Sequence, residues 1–144
     1  MKVCIVGLGA IGGLFAAWLG QRLPAGEITL SALARGATLA AVRREGLVVH
    51  GNDGPQTASS AVALNASDDP QTLGVQDLVI LAVKGPSLRA VAPAVAALCG
   101  QQTQVLAAMN GVPWWFFDGP PGPNAGPCAG LVLNSVDPGG TVRA

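Results

Sequence analysis

The strand, glycine turn and helix packed into the first 22 residues constrain this chain more than anything after them. Val3-Cys4-Ile5-Val6 is a short apolar run rich in β-branched residues, the signature of a buried strand. It runs into Gly7-Leu8-Gly9-Ala10-Ile11-Gly12, then Gly13 and a helical stretch from Leu14 to Arg22. A dinucleotide diphosphate site needs these parts in this order. The first glycine permits the tight turn, the second lets the backbone approach the phosphates, and the third lets helix and strand pack closely. The unpaired N–H groups and positive dipole end of the helix then face the diphosphate. A glycine-rich turn that merely packs a βα unit would show the same spacing. The N-terminal position and the strand–turn–helix context favour the binding reading, with Gly7, Leu8, Gly9, Ala10, Ile11 and Gly12 as the contact residues.

The rest of the chain alternates in the manner of a parallel sheet. Ile28 to Leu33 reads as the second strand, and Ala37 to Glu45 as a short helix with Leu39 and Val42 inward and Gly46 at its C-terminal end. Leu47 to His50, the Asn52-Asp53-Gly54 turn and a return through Ala61 to Leu64 predict a hairpin-like excursion. Its second arm is expected to join the main sheet as the third strand. Asp68-Asp69-Pro70 opens a turn or short helix, and Asp77 to Val83 is a continuous apolar strand of the kind buried on both faces. Ser87 to Cys99 is helical in period, with Pro93 as a local irregularity, and Gln104 to Met109 is a fifth strand. Leu131-Val132-Leu133 reads as a further short strand. Asp137-Pro138 then has the form of a helix N-cap followed by proline at the first helical position.

The fold class expected is therefore α/β, a Rossmann-like doubly wound parallel sheet over residues 1–144. The start of a helix at the last residues suggests a sheet without its last strand. Ligands of such sheets bind outside the carboxyl ends of the strands, which singles out Gly7, Arg35, Lys84 and Asn110.

Composition narrows the classes. Eight basic and eight acidic side chains give no net charge and no basic stripe, so no nucleic-acid partner is expected. No apolar run approaches the roughly 18 residues of a spanning helix, and the first run is too short for a signal peptide. A soluble cytoplasmic protein without a membrane partner is the expectation. Cys4, Cys99 and Cys128 are scattered and form no CxxC pair, so neither disulfides nor a metal site is indicated. His50, the single histidine, reads as a surface residue beside a turn.

After the second strand an NAD-binding chain usually offers an acid to the ribose hydroxyls. Here no acid occurs between Ile28 and Arg44, and Ala34-Arg35-Gly36 fills the position. A guanidinium there suits a 2′-phosphate, so Arg35 favours NADP(H) over NAD(H). Arg43 and Arg44, at the far end of the short helix, are expected to face solvent. Lys84 ends an apolar strand; it can reach a phosphate or ribose, act near a carbonyl, or simply snorkel out of the strand end. Asn110, before Gly111, can hold cofactor or substrate through its amide, or end the strand in an Asn-Gly turn. Trp114 to Phe117 cannot all point inward from one element, which predicts exposed apolar surface.

These pieces together resemble the N-terminal domain of ketopantoate reductase (2-dehydropantoate 2-reductase). The matching stretches are Gly7 to Gly13, Leu33-Ala34-Arg35-Gly36 with Leu39, Asp77-Leu78-Val79 through Val83-Lys84, and Asn110-Gly111-Val112-Pro113-Trp114-Trp115. The resemblance implies NADPH as hydride donor and a small 2-keto acid as substrate, reduced to the 2-hydroxy acid. It implies that Arg35 and Lys84 contact the cofactor and that Asn110 lies near nicotinamide and substrate. It further implies a helical C-terminal domain carrying the proton donor and most substrate contacts, absent from these residues, so no catalytic acid can be named. The 144 residues are then expected to be inactive alone, with a homodimer of the full-length protein left open. Two other classes fit the residues: a different reductase or dehydrogenase on the same nucleotide fold, and a non-catalytic dinucleotide-sensing module.

Overall fold

The structure is a computed structural model that describes residues 1–24, 26–49, 60–118 and 128–143. It divides into two compact units, one comprising Met1–Val83 with Pro93–Ala108, the other Lys84–Ala92 with Met109–Ala144. His50, the Asn52-Asp53-Gly54 turn and most of the Pro/Gly stretch after Asp118 lie outside the described residues.

The first unit is built on a five-stranded sheet. Its strands are β1 (Lys2–Val6), β2 (Thr29–Leu33), β5 (Asn65–Ser67), β6 (Leu78–Leu81) and β7 (Gln104–Ala107), in the order β5-β2-β1-β6-β7. Every pairing in it is parallel, with Cys4 level with Ser31 on one side and Val79 on the other. β1 and β6 are adjacent, and both are buried nearly throughout, which is why each reads as a continuous apolar run.

Helix α1 (Ala10–Arg22) lies on one sheet face, where Ala16 packs with Val3, Ile5, Leu30, Ala32 and Ile80. Helix α2 (Gly36–Glu45) sets Leu39 and Val42 against Ala34 and Ala66 and ends at Gly46, whose φ of 73° is the left-handed conformation that glycine adopts without penalty. The short α3 (Pro70–Leu73) is capped by Asp69, whose carboxylate accepts the Gln71 N–H at 2.9 Å. Helix α4 (Leu88–Leu98) contains Pro93, and the division between the units falls at that residue.

The hairpin forms, but its second arm does not join the sheet. β3 (Leu47–Val49) and β4 (Ser60–Val62) pair antiparallel in a separate two-stranded ladder beside α1. Val62 is buried there, and a Cβ at Gly20 would run into its side chain. The third parallel strand is instead the polar segment Asn65-Ala66-Ser67. As an edge strand it hydrogen-bonds on one side only, so it needs no long apolar run. Leu131-Val132-Leu133, expected as a strand, lies outside any strand, with Leu131 and Val132 exposed.

A polar network closes the amino ends of the strands. The Thr103 hydroxyl donates to the Gln76 carbonyl at 2.6 Å and accepts the Gly100 N–H at 2.8 Å, and the Gln76 side chain receives the Ser31 hydroxyl at 3.2 Å. Gln76 also donates to the Leu73 and Gly74 carbonyls at 2.8 and 3.0 Å, so its buried amide is satisfied at both ends.

Candidate functional site

The strand order reverses between β1 and β6, so the crevice outside their carboxyl ends is the place where a sheet of this kind takes a ligand. Gly7 occupies that edge with φ +92°, and a Cβ there would come within 2.8 Å of Val83 Cγ1 and 3.2 Å of the Ala82 carbonyl oxygen. Gly12, in the first turn of α1, is equally constrained: a Cβ would run into the Gly7 carbonyl oxygen and lie 3.1 Å from Ala82 Cβ. Both glycines are required by the protein's own packing.

Gly9 differs. It is the N-cap of α1 with φ −78°, which any residue adopts, and nothing lies within 4 Å of where its Cβ would be. Among the described residues no contact requires a glycine there, which leaves the backbone open to the approach of a ligand. The helix end is otherwise vacant of anions, because no side chain caps α1 and no acid lies in its first turn. With no side-chain cap hydrogen bond, its first N–H groups and dipole could hold the diphosphate of a dinucleotide.

The neighbouring strand end is tied to the same edge. The Gly7 N–H donates to the Leu33 carbonyl at 3.0 Å, and the Ala34 N–H donates to the Ser67 carbonyl at 2.9 Å. Arg35 follows directly as the N-cap of α2, exposed, with no acid in the first turn of that helix. Gly7 to Gly12 and Arg35 are therefore brought together on one edge. Arg43 faces solvent as expected, and there its Nε donates to the Ala66 carbonyl at 3.2 Å, with its guanidinium 3.9 Å from Asp68.

Lys84 and Asn110 belong to the second unit. The exposed Lys84 precedes a 3₁₀ turn, Gly85–Ser87, and its carbonyl accepts the Ser87 N–H at 2.8 Å. Asn110 lines a cleft of about 440 Å³ together with Pro86, Arg89, Val112, Ser135 and Val136. Lys84 does not line it. Arg89 and Ser135 escape sequence reasoning: a single arginine at the start of an alanine-rich helix looks like an ordinary solvated residue, and Ser135 lies where the periodicity has faded.

Elsewhere in this unit Trp114 and Trp115 meet edge to face at 4.3 Å, as do Phe116 and Phe117 at 4.9 Å. Trp115 and Phe116 are 42% and 61% exposed, in keeping with the apolar surface expected of this run. Asp137 precedes Pro138 as expected, but the turn it opens is a 3₁₀ turn over Pro138–Gly140 that breaks at Gly139 (φ 75°), not the first turn of an α-helix. Burial opposes its ionisation, but N–H donors from Val142 at 2.9 Å and Arg143 at 3.0 Å, with the Thr141 hydroxyl, outweigh burial and hold its carboxyl below the ordinary value. Desolvation pushes the buried Cys4 thiol up, so that residue is a small core hydrophobe and not a nucleophile. Among the described residues no helix is long and apolar enough to cross a membrane.

Comparison with known proteins agrees with this fold. A family model described as Ketopantoate reductase PanE/ApbA matches residues 3–113. A 2-dehydropantoate 2-reductase of Mesorhizobium japonicum is 43% identical over 142 residues, which is 99% of this chain and 40% of that protein. A crystal structure from Ralstonia solanacearum MolK2, assigned as a ketopantoate reductase, superposes with a TM-score of 0.84 at 45% identity, over 98% of this chain and 40% of that one. The 2-dehydropantoate 2-reductase of Porphyromonas gingivalis W83 superposes with a TM-score of 0.61 at 27% identity, over 77% of this chain and 39% of that one. The chain thus spans about two fifths of the length of the relatives it matches.

Proposed function

Because the chain belongs to the ketopantoate reductase PanE/ApbA family, we propose that it is the NADPH-binding part of an oxidoreductase that converts a 2-keto acid, of the 2-dehydropantoate type, into the 2-hydroxy acid. The observation that carries this reading is Gly9, a glycine at an uncapped helix N-terminus with nothing of the chain near its missing side chain. The backbone N–H groups from Gly9 to Gly12 would hold the diphosphate. Arg35 would hold the 2′-phosphate by charge-assisted hydrogen bonds. When bound, NADPH supplies a hydride.

The Asn110 amide is a neutral donor that can hold a ketone oxygen or the carboxamide of the nicotinamide without changing charge. Lys84, exposed three residues after β6 in sequence, offers an ammonium to a ribose or phosphate. The proton that completes the alcohol needs another source, since the residues lining the Asn110 cleft include no carboxylic acid, histidine or lysine. General acid catalysis is worth about 10²–10⁴-fold, so these 144 residues alone bind NADPH but turn over no keto acid measurably. Calorimetric titration of the chain with NADPH and NADH, followed by an absorbance assay with a panel of 2-keto acids, tests both halves. An absence of NADPH binding overturns the cofactor reading, and robust turnover overturns the assignment of the proton donor to other residues.

A further inference from the structure

β2 and β5 end side by side. Their register runs to Leu33 and Ser67, and the Ala34 N–H donates to the Ser67 carbonyl at 2.9 Å, so the ladder continues one bond past both strands. Paired strands lie about 4.8 Å apart. The residues that leave the sheet here are therefore neighbours, Ala34-Arg35 on one segment and Asp68-Asp69 on the other. No acid lies near Arg35 in sequence, but the adjoining strand brings two beside it.

Unrestrained, these carboxylates would repel a phosphate and compete for the Arg35 guanidinium. Neither is paired with Arg35, and each has another partner. Asp69 turns to α3, where it accepts the Gln71 N–H at 2.9 Å. Asp68 lies 3.9 Å from the guanidinium of Arg43, in the last turn of α2. That guanidinium is itself anchored, because its Nε donates to the Ala66 carbonyl at 3.2 Å. An exposed pair of this length adds little to stability. Its effect is on local charge. With Arg43 present, Arg35 and Arg43 balance Asp68 and Asp69; without it, Arg35 faces both acids alone.

We propose that Arg43 is a positioning residue for cofactor choice. By holding Asp68 it keeps that carboxylate from Arg35 and from a 2′-phosphate, and it binds no part of the cofactor itself. The inference rests on the cofactor reading above. It adds that the preference assigned to Arg35 is preserved by an ion pair on the neighbouring strand end.

The test is calorimetric titration of the full 144-residue chain with NADPH and NADH at low salt. The variants are Arg43→Ala, Arg43→Lys, Asp68→Asn and the double variant Arg43→Ala/Asp68→Asn. Arg43→Ala should lower the NADPH/NADH affinity ratio about threefold or more, an effect that added salt diminishes. Affinity for NADH, which lacks the 2′-phosphate, should not change, whereas a merely structural role would weaken both cofactors. Arg43→Lys keeps the charge and should keep part of the ratio. The double variant should return the ratio to that of Asp68→Asn, because the arginine acts through that carboxylate. An unchanged ratio in Arg43→Ala overturns the proposal, and so does an equal loss of both affinities. A ratio that stays low in the double variant also overturns it, by assigning Arg43 to the phosphate directly. An unaltered chain that binds NADPH no better than NADH would overturn the Arg35 reading and this inference with it. An unaltered chain that prefers NADPH, with the preference intact in Arg43→Ala, removes this inference alone.

Discussion

The Gly7 N–H donates to the Leu33 carbonyl at 3.0 Å, so the turn that leaves β1 is fastened to the strand that ends two residues before Arg35. A parallel sheet makes this link unavoidable: β1 and β2 are in register from Lys2 and Thr29 to Val6 and Leu33, and the ladder simply continues by one bond. The turn proposed to face the diphosphate and the arginine proposed to meet the ribose thus share one edge of the sheet. Two sequence motifs 28 residues apart in numbering, at Gly7 and Arg35, are brought to one edge by backbone hydrogen bonding alone.

Gly9 and Gly12 separate binding from stability. At Gly9 a Cβ meets nothing and the backbone is ordinary, so Gly9→Val should leave the melting temperature nearly unchanged while abolishing NADPH binding in calorimetry. At Gly12 a Cβ would run into the Gly7 carbonyl oxygen, so Gly12→Ala should destabilise the chain, by about 1–3 kcal/mol as overpacking does. Retained NADPH affinity in Gly9→Val would reduce the turn to a packing device.

The network at the opposite edge predicts a loss of stability without a loss of binding. Thr103→Val keeps the shape of the side chain but strands the Gln76 carbonyl and the Gly100 N–H, which the hydroxyl meets at 2.6 and 2.8 Å. A cost of about 1–3 kcal/mol is expected from the unmade bonds. Urea unfolding measures it, and NADPH affinity below the transition should be unaltered, because this edge is remote from the carboxyl ends of the strands.

Asp137 gives the acid limb of stability a specific component. Its folded carboxyl sits below the ordinary value, because the hydrogen bonds from residues 141–143 to the ionised form outweigh the opposing effect of burial. A depressed folded pKa means that the unfolded chain takes up the proton first. The contribution is therefore complete above the unfolded value of about 3.9 and disappears as pH falls through the folded one. Denaturation midpoints from pH 6 to pH 2 should fall less steeply for Asp137→Ala than for the unaltered chain. Parallel curves for the two proteins would remove Asp137 as a contributor.

What was legible in the sequence follows from how each element is held. β1 and β6 are paired on both sides and buried on both faces, so their apolar runs mark them directly, and the glycine turn marks the helix that follows. β5 is different because it pairs only with β2 and includes Asn65 and Ser67. The more apolar Val62-Ala63-Leu64 next to it drew the strand assignment, yet Val62 serves the hairpin packed on α1. Arg35 stands out in the sequence because no acid lies between Ile28 and Arg44, and the structure leaves it exposed as the N-cap of α2. Arg89 does not stand out, because a lone arginine in an alanine-rich helix carries no sequence sign of the cleft it lines.

The proposed preference for NADPH rests on Arg35. The residue after the second strand of a doubly wound sheet meets the adenosine ribose, where an acid accepts hydrogen bonds from the 2′-hydroxyl and repels a phosphate. Here the position holds an exposed arginine, and the first turn of α2 contains no acid to compete for it. Arg43, the other arginine near that strand edge, is held at the Ala66 carbonyl and beside Asp68, so Arg35 is the cation left to discriminate. One charge-assisted hydrogen bond contributes roughly 1.5–3 kcal/mol, or about a ten- to hundredfold preference. NADPH should therefore bind more tightly than NADH by that factor, and Arg35→Asp should remove or reverse the preference while leaving the fold intact. Added salt should weaken NADPH binding more than NADH binding, because screening acts on the extra phosphate contact at an exposed site. An NADPH/NADH affinity ratio that survives Arg35→Asp would show that the arginine is a solvated residue at the start of α2, and that discrimination at the 2′ position comes from another group.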